Sequence, residues 1–316
     1  MEVRKTVVPC NKKGEEIVGA KAREFIYFKV KFNSYRDVSR SCENAVLDRE
    51  ETDECECVLA LPESYSDSGK PTQLILSCHG AGSNVCEELN LIGGVDYVTQ
   101  CIDVGYAALD VAGSKPNGLS LGCPEHLFAL YKAYLYAINN FNLTPRVLLS
   151  GASMGGQTAL NFAAMFPGIV VAAGIFFPRL NIDGAYVDGH YCIGTWDKTT
   201  KNSAGVSTHD RVADIYRFPS DEWCEENTVG VNPYKLRSYV GQDGKRVVIP
   251  PCPIKLWQGT ADNVTDPVMA IEFINSIKRS GSYAELHLLD GVSHNVNDVM
   301  REEQLMWFNR FRNIQF

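Results

Sequence analysis

Apolar and polar residues alternate in the first part of the chain. In residues 25–32 the apolar side chains share one face of an extended segment: Ile26, Phe28, Val30 and Phe32. A period of two is typical of a strand with one buried face. Residues 7–18 predict a hairpin before it, so we expect the chain to open with antiparallel strands.

The next segment has no regular period. Residues 33–54 are polar and charged, and we expect them to form a loop. Residues 57–61 then predict a short strand that ends at Pro62, because proline cannot donate to a sheet.

From Gln73 onward the predicted strands are apolar throughout, which is the pattern of a sheet covered on both faces. These strands are residues 74–78, 106–111, 147–150, 170–177, 254–257 and 284–289. Helical spacing occupies residues 87–102, 126–140, 157–165, 267–280 and 299–311. Because strands and helices alternate, we expect one α/β domain over residues 1–316, with a mostly parallel central sheet and helices on both faces.

One long segment interrupts this alternation. Residues 181–250 are polar but rich in aromatic side chains, and a structureless loop of that length is rare in a compact domain. We expect a lid insertion over the carboxyl ends of the strands. Trp196, Trp223 and Tyr191 are its candidate substrate-binding residues, since flat rings stack on sugars and aromatic groups. Local packing of the same aromatic residues in a peripheral excursion is the alternative.

Composition narrows the possible partners. The 316 residues are 45% hydrophobic and 22% charged, with a net charge of −8. An acidic chain without a basic cluster is a poor nucleic-acid binder. Neither a signal sequence nor a membrane-spanning segment is visible, so we expect a soluble, cytoplasmic protein that does not enter membranes. A signal removed before Met1 would leave the same pattern, and the oligomeric state stays open.

Eleven cysteines are present, an odd number in a chain long enough to fold without disulfides. We expect most of them to be reduced and buried, with one disulfide or none. Cys55 and Cys57 alternate along a probable strand and would share one face. A zinc site there lacks a second pair of ligands, so no metal is expected.

The strongest chemical signal is the segment Gly151-Ala-Ser153-Met-Gly155, which lies between a predicted strand and a predicted helix. A serine on so tight a turn needs neighbours without Cβ atoms two residues before and two residues after it. Gly151 and Gly155 hold those positions. The turn would expose Ser153 as a nucleophile and direct the backbone N–H of Met154 toward an oxyanion. A serine that only caps the helix is the alternative.

A nucleophilic serine needs a base and a group that orients the base. His294 follows the last predicted strand, and Asp262 follows the strand before it. We expect His294 to be the base and Asp262 the acid. Asp266 competes with Asp262, but it precedes Pro267 at a position typical of a helix N-cap.

A second oxyanion donor is expected in the loop after the first parallel strand, His79-Gly-Ala81-Gly82. Small residues let backbone N–H groups approach a carbonyl oxygen, so Ala81 or Gly82 would act beside Met154. His79 is expected to brace this loop. A phosphate-binding loop would also need a lysine, which this segment lacks.

These motifs resemble those of α/β-hydrolases: H-G-x-G, then G-x-S-x-G, with the order Ser153, Asp262, His294. The resemblance covers residues 73–316. It extends to single-domain esterases of the polyhydroxybutyrate depolymerase, acetyl esterase and feruloyl esterase type, and to the catalytic domain of prolyl-oligopeptidase-type peptidases. The stretch before Gln73 is too short for a β-propeller, which favours an esterase.

The resemblance implies an α/β-hydrolase fold and hydrolysis of a carboxylic ester through an acyl-enzyme. The expected substrate is a small-molecule or glycan ester, for example an acyl- or feruloyl-decorated carbohydrate. No cofactor is implied. Two alternatives stay open: a prolyl-oligopeptidase-type serine peptidase, and a catalytically silent hydrolase fold used for binding.

Overall fold

The computed structural model describes residues 3–6, 24–37, 46–80, 101–112, 122–166, 168–180, 239–240, 246–247, 252–279 and 281–312. Its strands are β1 Arg4–Thr6, β2 Glu24–Asp37, β3 Val46–Leu61, β4 Leu74–Cys78, β5 Ala107–Val111, β6 Val147–Ala152, β7 Val170–Phe176, β8 Tyr239–Val240, β9 Arg246–Val247, β10 Ile254–Gly259 and β11 Ala284–Leu289. Its helices are α1 Pro124–Asn140, α2 Met154–Met165, α3 Pro267–Arg279 and α4 Asp298–Asn309.

Nine of these strands form one sheet in the order β1-β2-β3-β5-β4-β6-β7-β10-β11. The pairs from β5 to β11 are all parallel. Strand β2 pairs antiparallel with both β1 and β3, and β3 joins β5 antiparallel. The prediction of a mostly parallel sheet with antiparallel opening strands is therefore confirmed.

The predicted loop over residues 33–54 is wrong in most of its length. Strand β2 continues to Asp37 and β3 begins at Val46, with Asn33 opposite Glu51 and Tyr35 opposite Leu47. The register shifts three times along this part of the hairpin. Ladder hydrogen bonds use backbone groups, so a polar segment without a regular period pairs as well as an apolar one.

The inner strands are buried along their whole length, as continuous apolar runs require. Alternate side chains of each strand enter two separate hydrophobic cores, so Leu149 packs on one face and Leu148 on the other. Helices α1, α2 and α3 contribute to the first core, for example through Leu130, Leu160 and Phe273. Helix α4 contributes Met300, Trp307 and Phe308 to the second. Helices on both faces of the sheet are confirmed.

Helix α4 is also fixed to the sheet by polar contacts. The indole N–H of Trp307 donates to the carbonyl of Ala173 at 3.1 Å. The Gln304 amide donates to Ser150 Oγ at 3.0 Å and to the Gly174 carbonyl at 2.6 Å. These contacts hold the helix that follows His294 against the strands that carry Ser153 and Phe177.

Three predicted segments lie partly or wholly outside the described residues. They are the hairpin at 7–18, the helix at 87–102 except for its last two residues, and the lid at 181–250. Within the last segment the structure describes only the short antiparallel pair of β8 and β9. No helix in the described part of the chain is long and apolar enough to cross a bilayer.

The parallel strands place the candidate residues at one edge of the sheet. Ser153 follows β6, Phe177 follows β7, Asp262 comes after β10, and His294 after β11. These four strands are consecutive neighbours in the sheet. Because parallel strands end at the same edge, their carboxyl-terminal loops meet there.

Candidate active site

Ser153 stands alone between β6 and α2 in a backbone conformation that few residues adopt. Its φ of 55° and ψ of −121° lie outside the allowed regions for most side chains. It occupies the N-cap position of α2, but among the described residues its side chain makes no capping hydrogen bond. Ser153 is partly exposed. This geometry does not support the alternative in which Ser153 only caps the helix.

Backbone hydrogen bonds from two directions hold the Ser153 turn. Its N–H donates to the carbonyl of Phe176 at 3.1 Å, and its carbonyl accepts from Arg179 N–H at 3.0 Å. The same carbonyl accepts from Gly156 N–H at 3.0 Å. Strand β7 and the residues just after it therefore brace the strained serine.

The two flanking glycines lie where no side chain fits. A Cβ on Gly151 would be 2.5 Å from the carbonyl oxygen of Gly155. A Cβ on Gly155 would overlap the carbonyl oxygen of Cys78 and lie 2.5 Å from that of His79. Gly155 thus lets the start of α2 contact Cys78 and His79 at the end of β4 directly.

His294 and Asp262 form a hydrogen-bonded pair. The imidazole Nδ1 lies 2.8 Å from Asp262 Oδ2, and the Asp262 side chain is fully buried. An ionised carboxylate only accepts hydrogen bonds, so the proton belongs on Nδ1. In the neutral imidazole Nε2 is then the nitrogen free to accept a proton.

A close backbone contact brings the Asp262 and His294 loops together. A Cβ on Gly259, the last residue of β10, would overlap the carbonyl oxygen of Val292. Ala261 N–H donates to that same carbonyl at 3.0 Å. The loop after β11 therefore lies directly on the loop after β10, and the Asp262–His294 contact follows.

Four further hydrogen bonds reach the Asp262 carboxylate. Oδ1 accepts from the backbone N–H groups of Val264 at 2.8 Å and Thr265 at 2.9 Å. Oδ2 accepts from Gln258 Nε2 and from Thr265 Oγ1, each at 3.0 Å. Burial by itself would raise the pKa of Asp262, but the hydrogen bonds from His294, Thr265 and Val264 outweigh it and lower this pKa below its ordinary value. Asp262 is therefore held ionised beside His294.

The competing carboxylate has a different task. Asp266 Oδ1 accepts from the N–H of Val268 at 2.8 Å, and the Asp266 carbonyl accepts from Met269 N–H at 3.0 Å. Both contacts are those of an N-cap residue at the start of α3. Of the two candidates, Asp262 contacts His294 and Asp266 begins the helix.

The residues expected to bind an oxyanion are only partly described. Met154 is the first residue of α2, where a backbone N–H has no acceptor within the helix. Ala81 and Gly82 lie outside the described residues, so their role stays a prediction. His79, just before them, is buried, and its Nδ1 lies 2.9 Å from the Gly80 carbonyl. Burial lowers the pKa of His79, which keeps the ring neutral, as a bracing residue requires.

The aromatic residues expected to bind substrate also lie outside the described residues. The roles of Trp196, Trp223 and Tyr191 therefore remain predictions.

Cys55 and Cys57 are buried on the same face of β3 in the first core. The described cysteines are buried and no disulfide joins them to one another, namely Cys55, Cys57, Cys78, Cys101, Cys123 and Cys252. Among described residues, no group of three His, Cys, Asp or Glu side chains could hold a metal ion.

The sequence did not single out three residues that contact the pair. Gln258 and Thr265 donate to Asp262. The Phe177 ring packs against His294 with centroids 4.3 Å apart. Gln258 and Thr265 lie within four residues of Asp262, so their position near the acid was a usable signal. Nothing in the sequence around Phe177 indicates its contact with a histidine more than one hundred residues away.

The arrangement combines a serine on a strained turn with a buried carboxylate–imidazole pair at the same edge of the sheet. A parallel sheet with an antiparallel start, helices on both faces and a serine turn after β6 define the α/β-hydrolase fold. The chain has this fold.

Comparison with solved structures agrees with this fold. The S-formylglutathione hydrolase of Agrobacterium tumefaciens is 14% identical, with a TM-score of 0.60, over 91% of this chain and 95% of that one. A puromycin-hydrolyzing peptidase of Mycobacterium tuberculosis is 14% identical, with a TM-score of 0.62, over 83% of this chain and 38% of that one. The acylaminoacyl peptidase of Pyrococcus horikoshii is 14% identical, with a TM-score of 0.60, over 91% of this chain and 41% of that one.

The chain thus spans about two fifths of these two peptidases but nearly the whole of the S-formylglutathione hydrolase. Neither a protein-family model nor a curated protein sequence matches the chain.

Proposed function

We propose that the protein is a serine hydrolase that cleaves a carboxylic ester through an acyl-enzyme intermediate. The observation that carries this proposal is the hydrogen bond between His294 Nδ1 and Asp262 Oδ2, 2.8 Å long, at the edge of the sheet where Ser153 is presented. A histidine held in this tautomer directs a basic Nε2 outward, which is what activation of a serine hydroxyl requires.

In the proposed reaction, His294 Nε2 takes the proton from Ser153 Oγ as that oxygen attacks the ester carbonyl carbon. The carbonyl oxygen becomes an oxyanion that accepts hydrogen bonds from Met154 N–H and from Ala81 or Gly82 N–H. His294 then gives its proton to the departing alcohol, leaving an acyl group on Ser153. Water repeats the sequence and releases the acid. Asp262 stabilises the imidazolium throughout and stays ionised.

The proposed substrate is a small-molecule or glycan ester. The S-formylglutathione hydrolase, similar over nearly the full length of both chains, supports a small ester substrate. The aromatic content of residues 181–250 supports an acyl- or feruloyl-decorated carbohydrate, because sugars and phenolic rings stack on flat side chains. We expect kcat/KM for feruloyl esters and acetylated sugars to exceed that for short alkyl esters. Equal values across the panel would contradict a sugar or feruloyl preference.

The central test combines labelling and turnover. A fluorophosphonate should add one covalent adduct at Ser153, and p-nitrophenyl butyrate should be hydrolysed. Ser153→Ala should abolish the adduct and lower kcat by a factor on the order of 10⁴ or more. An unlabelled wild-type protein would contradict the proposal and favour a silent binding protein.

A peptidase is the second candidate, because two peptidases are among the similar structures. It predicts cleavage of prolyl and aminoacyl amides. If kcat/KM for these amides exceeds that for all esters in the panel, the ester proposal is wrong although Ser153 still acts as the nucleophile.

A further inference from the structure

Gln258 is a buried side chain of β10 that contacts the acid of the proposed triad. Its amide Nε2 lies 3.0 Å from Asp262 Oδ2 and 3.2 Å from the carbonyl oxygen of Thr265. Both partners accept only, and a primary amide has two N–H groups. One amide can therefore hold the carboxylate and the backbone of the following loop at the same time.

From these contacts we propose that Gln258 is a positioning residue, which acts through Asp262 to orient His294. The inference rests on the proposed function, since it assigns Gln258 a part in the same reaction. The Oδ2 atom that accepts from Gln258 is the atom that accepts from His294 Nδ1. A rotation of the carboxylate about its last bond would lengthen both contacts together.

Thr265 completes the support on the opposite side. Its hydroxyl lies 3.0 Å from Asp262 Oδ2 and 3.2 Å from the Phe177 carbonyl. A hydroxyl has one hydrogen, so it donates to one of these acceptors at a time. Gln258 Nε2 also lies 3.4 Å from the Gly259 carbonyl, but its two N–H groups can still serve the two nearer acceptors, Asp262 Oδ2 and the Thr265 carbonyl, at the same time.

Burial of the Gln258 amide lowers the stability of the protein, and a purely structural role for this residue does not explain that loss. Gln258 is fully buried, and its Oε1 has no hydrogen-bond donor within the described part of the chain. A buried acceptor without a donor destabilises the fold, because it has lost its hydrogen bonds to water and gained none in the protein. Methionine would have nearly the same length and no such cost. The function of the amide therefore lies in the hydrogen bonds that its N–H groups donate, and one of these bonds goes to Asp262.

The amide also sets how strongly Asp262 attracts a proton on His294. A neutral donor on Oδ2 takes up part of the negative charge of the carboxylate without adding a charge of its own. Removing this donor concentrates negative charge on the side that faces the imidazole. We therefore expect the acidic limb of the pH profile of kcat/KM to lie at higher pH when this donor is removed.

The test compares Gln258→Met with Gln73→Met. Gln73 is also a buried glutamine whose amide donates to backbone carbonyls, those of Arg146 and Leu74, and it lies just before β4, at the sheet edge opposite the site. We expect Gln258→Met to lower kcat about 10-fold with KM nearly unchanged, and to move the acidic limb of kcat/KM to higher pH. Gln73→Met should lower thermal stability and leave both kinetic properties as in the wild type.

A second variant at Gln258 keeps the shape of the side chain and changes only the group that faces Asp262. Gln258→Glu keeps the side-chain outline but directs an oxygen at Asp262 Oδ2. We expect it to lower kcat further than Gln258→Met and to move the acidic limb further. If Gln258→Met does not fold, Thr265→Val provides a second variant, since it removes the other side-chain donor at constant size and should move the limb in the same direction.

A spectroscopic measurement tests the positioning role of Gln258 without an activity assay. The Nδ1–H proton of His294 should give a far-downfield ¹H NMR signal that broadens or shifts in Gln258→Met and stays unchanged in Gln73→Met. An unchanged signal and pH profile in Gln258→Met would overturn the positioning role. If the wild type hydrolyses nothing and takes no fluorophosphonate, the proposed function fails, while this signal still decides whether Gln258 orients the pair.

Discussion

The ring of Phe177 lies against the imidazole of His294, with centroids 4.3 Å apart and planes inclined at 53°. Phe177 has a φ of 32°, which a residue with a Cβ rarely adopts. Its N–H donates to the Trp257 carbonyl at 2.7 Å, and its carbonyl accepts from the Thr265 hydroxyl at 3.2 Å. The strained residue is held on both sides by the strand and loop that carry Asp262.

Removing this ring should loosen His294. We expect Phe177→Ala to lower kcat about 10-fold, because misplacement of a catalytic group by a fraction of an ångström is costly. Loss of the buried ring should also reduce the free energy of unfolding by about 3–5 kcal/mol. Steady-state kinetics and urea unfolding measure the two effects.

Phe273→Ala is the matched control, since Phe273 is an equally buried phenylalanine of α3 in the first core. It should destabilise the protein to a similar extent and leave kcat unchanged under conditions where the protein is folded. An equal loss of kcat in both variants would contradict a specific role for Phe177.

The two aspartates near β10 should respond differently to substitution. We expect Asp262→Asn to lower kcat by a factor on the order of 10⁴, since an amide can favour the wrong imidazole tautomer. Asp266→Ala should remove the N-cap of α3 and about 1 kcal/mol of stability, with kcat within a few-fold of the wild type. Ester turnover together with thermal unfolding would measure both, and a reversed pattern would make Asp266 the acid.

The flanking glycines offer a test of the serine turn by stability alone. We expect Gly155→Ala to lower the free energy of unfolding by roughly 3 kcal/mol or more. The new methyl group would overlap the Cys78 carbonyl, so the backbone would have to move. Gly168→Ala is the control, since a Cβ there meets nothing within 4 Å. Urea unfolding compares the two variants. Equal stability would mean that the turn tolerates a side chain.

Two buried histidines predict how stability depends on pH. Burial, assisted by the nearby His79, lowers the pKa of His126 to about 3 from an ordinary 6.5. Burial also lowers the pKa of His79. As pH falls below 6.5, the unfolded chain binds protons that the folded chain excludes, so stability is complete above about pH 6.5 and declines below it.

Each histidine should contribute up to about 1.4 kcal/mol per pH unit to this decline. Urea unfolding at pH 7, 6 and 5 measures the slope, and His126→Leu should reduce it. A slope identical to that of the wild type would show that His126 is protonated in the folded protein.

The sequence by itself determined most of the sheet. The six strands from residue 74 onward were located to within two residues at each end, because strands of a sheet covered on both faces are rich in apolar residues. The turn at Ser153 was equally readable, since Gly151 and Gly155 occupy positions where a Cβ meets backbone atoms. Both patterns are local in the sequence. Burial of a strand and close backbone contact at a turn constrain the same residues that form the strand or the turn.

Only the tertiary structure decided what depends on contacts distant along the chain. The polar hairpin of β2 and β3 was missed because its backbone hydrogen bonds place no demand on side-chain hydrophobicity. The sequence favoured Asp262 over Asp266 as the acid, but the 2.8 Å contact of Asp262 with His294 depends on how the loop after β11 lies on the loop after β10. The contact of Phe177 with His294 likewise exists only once β7, β10 and β11 are neighbours, since sheet order joins strands that the sequence separates.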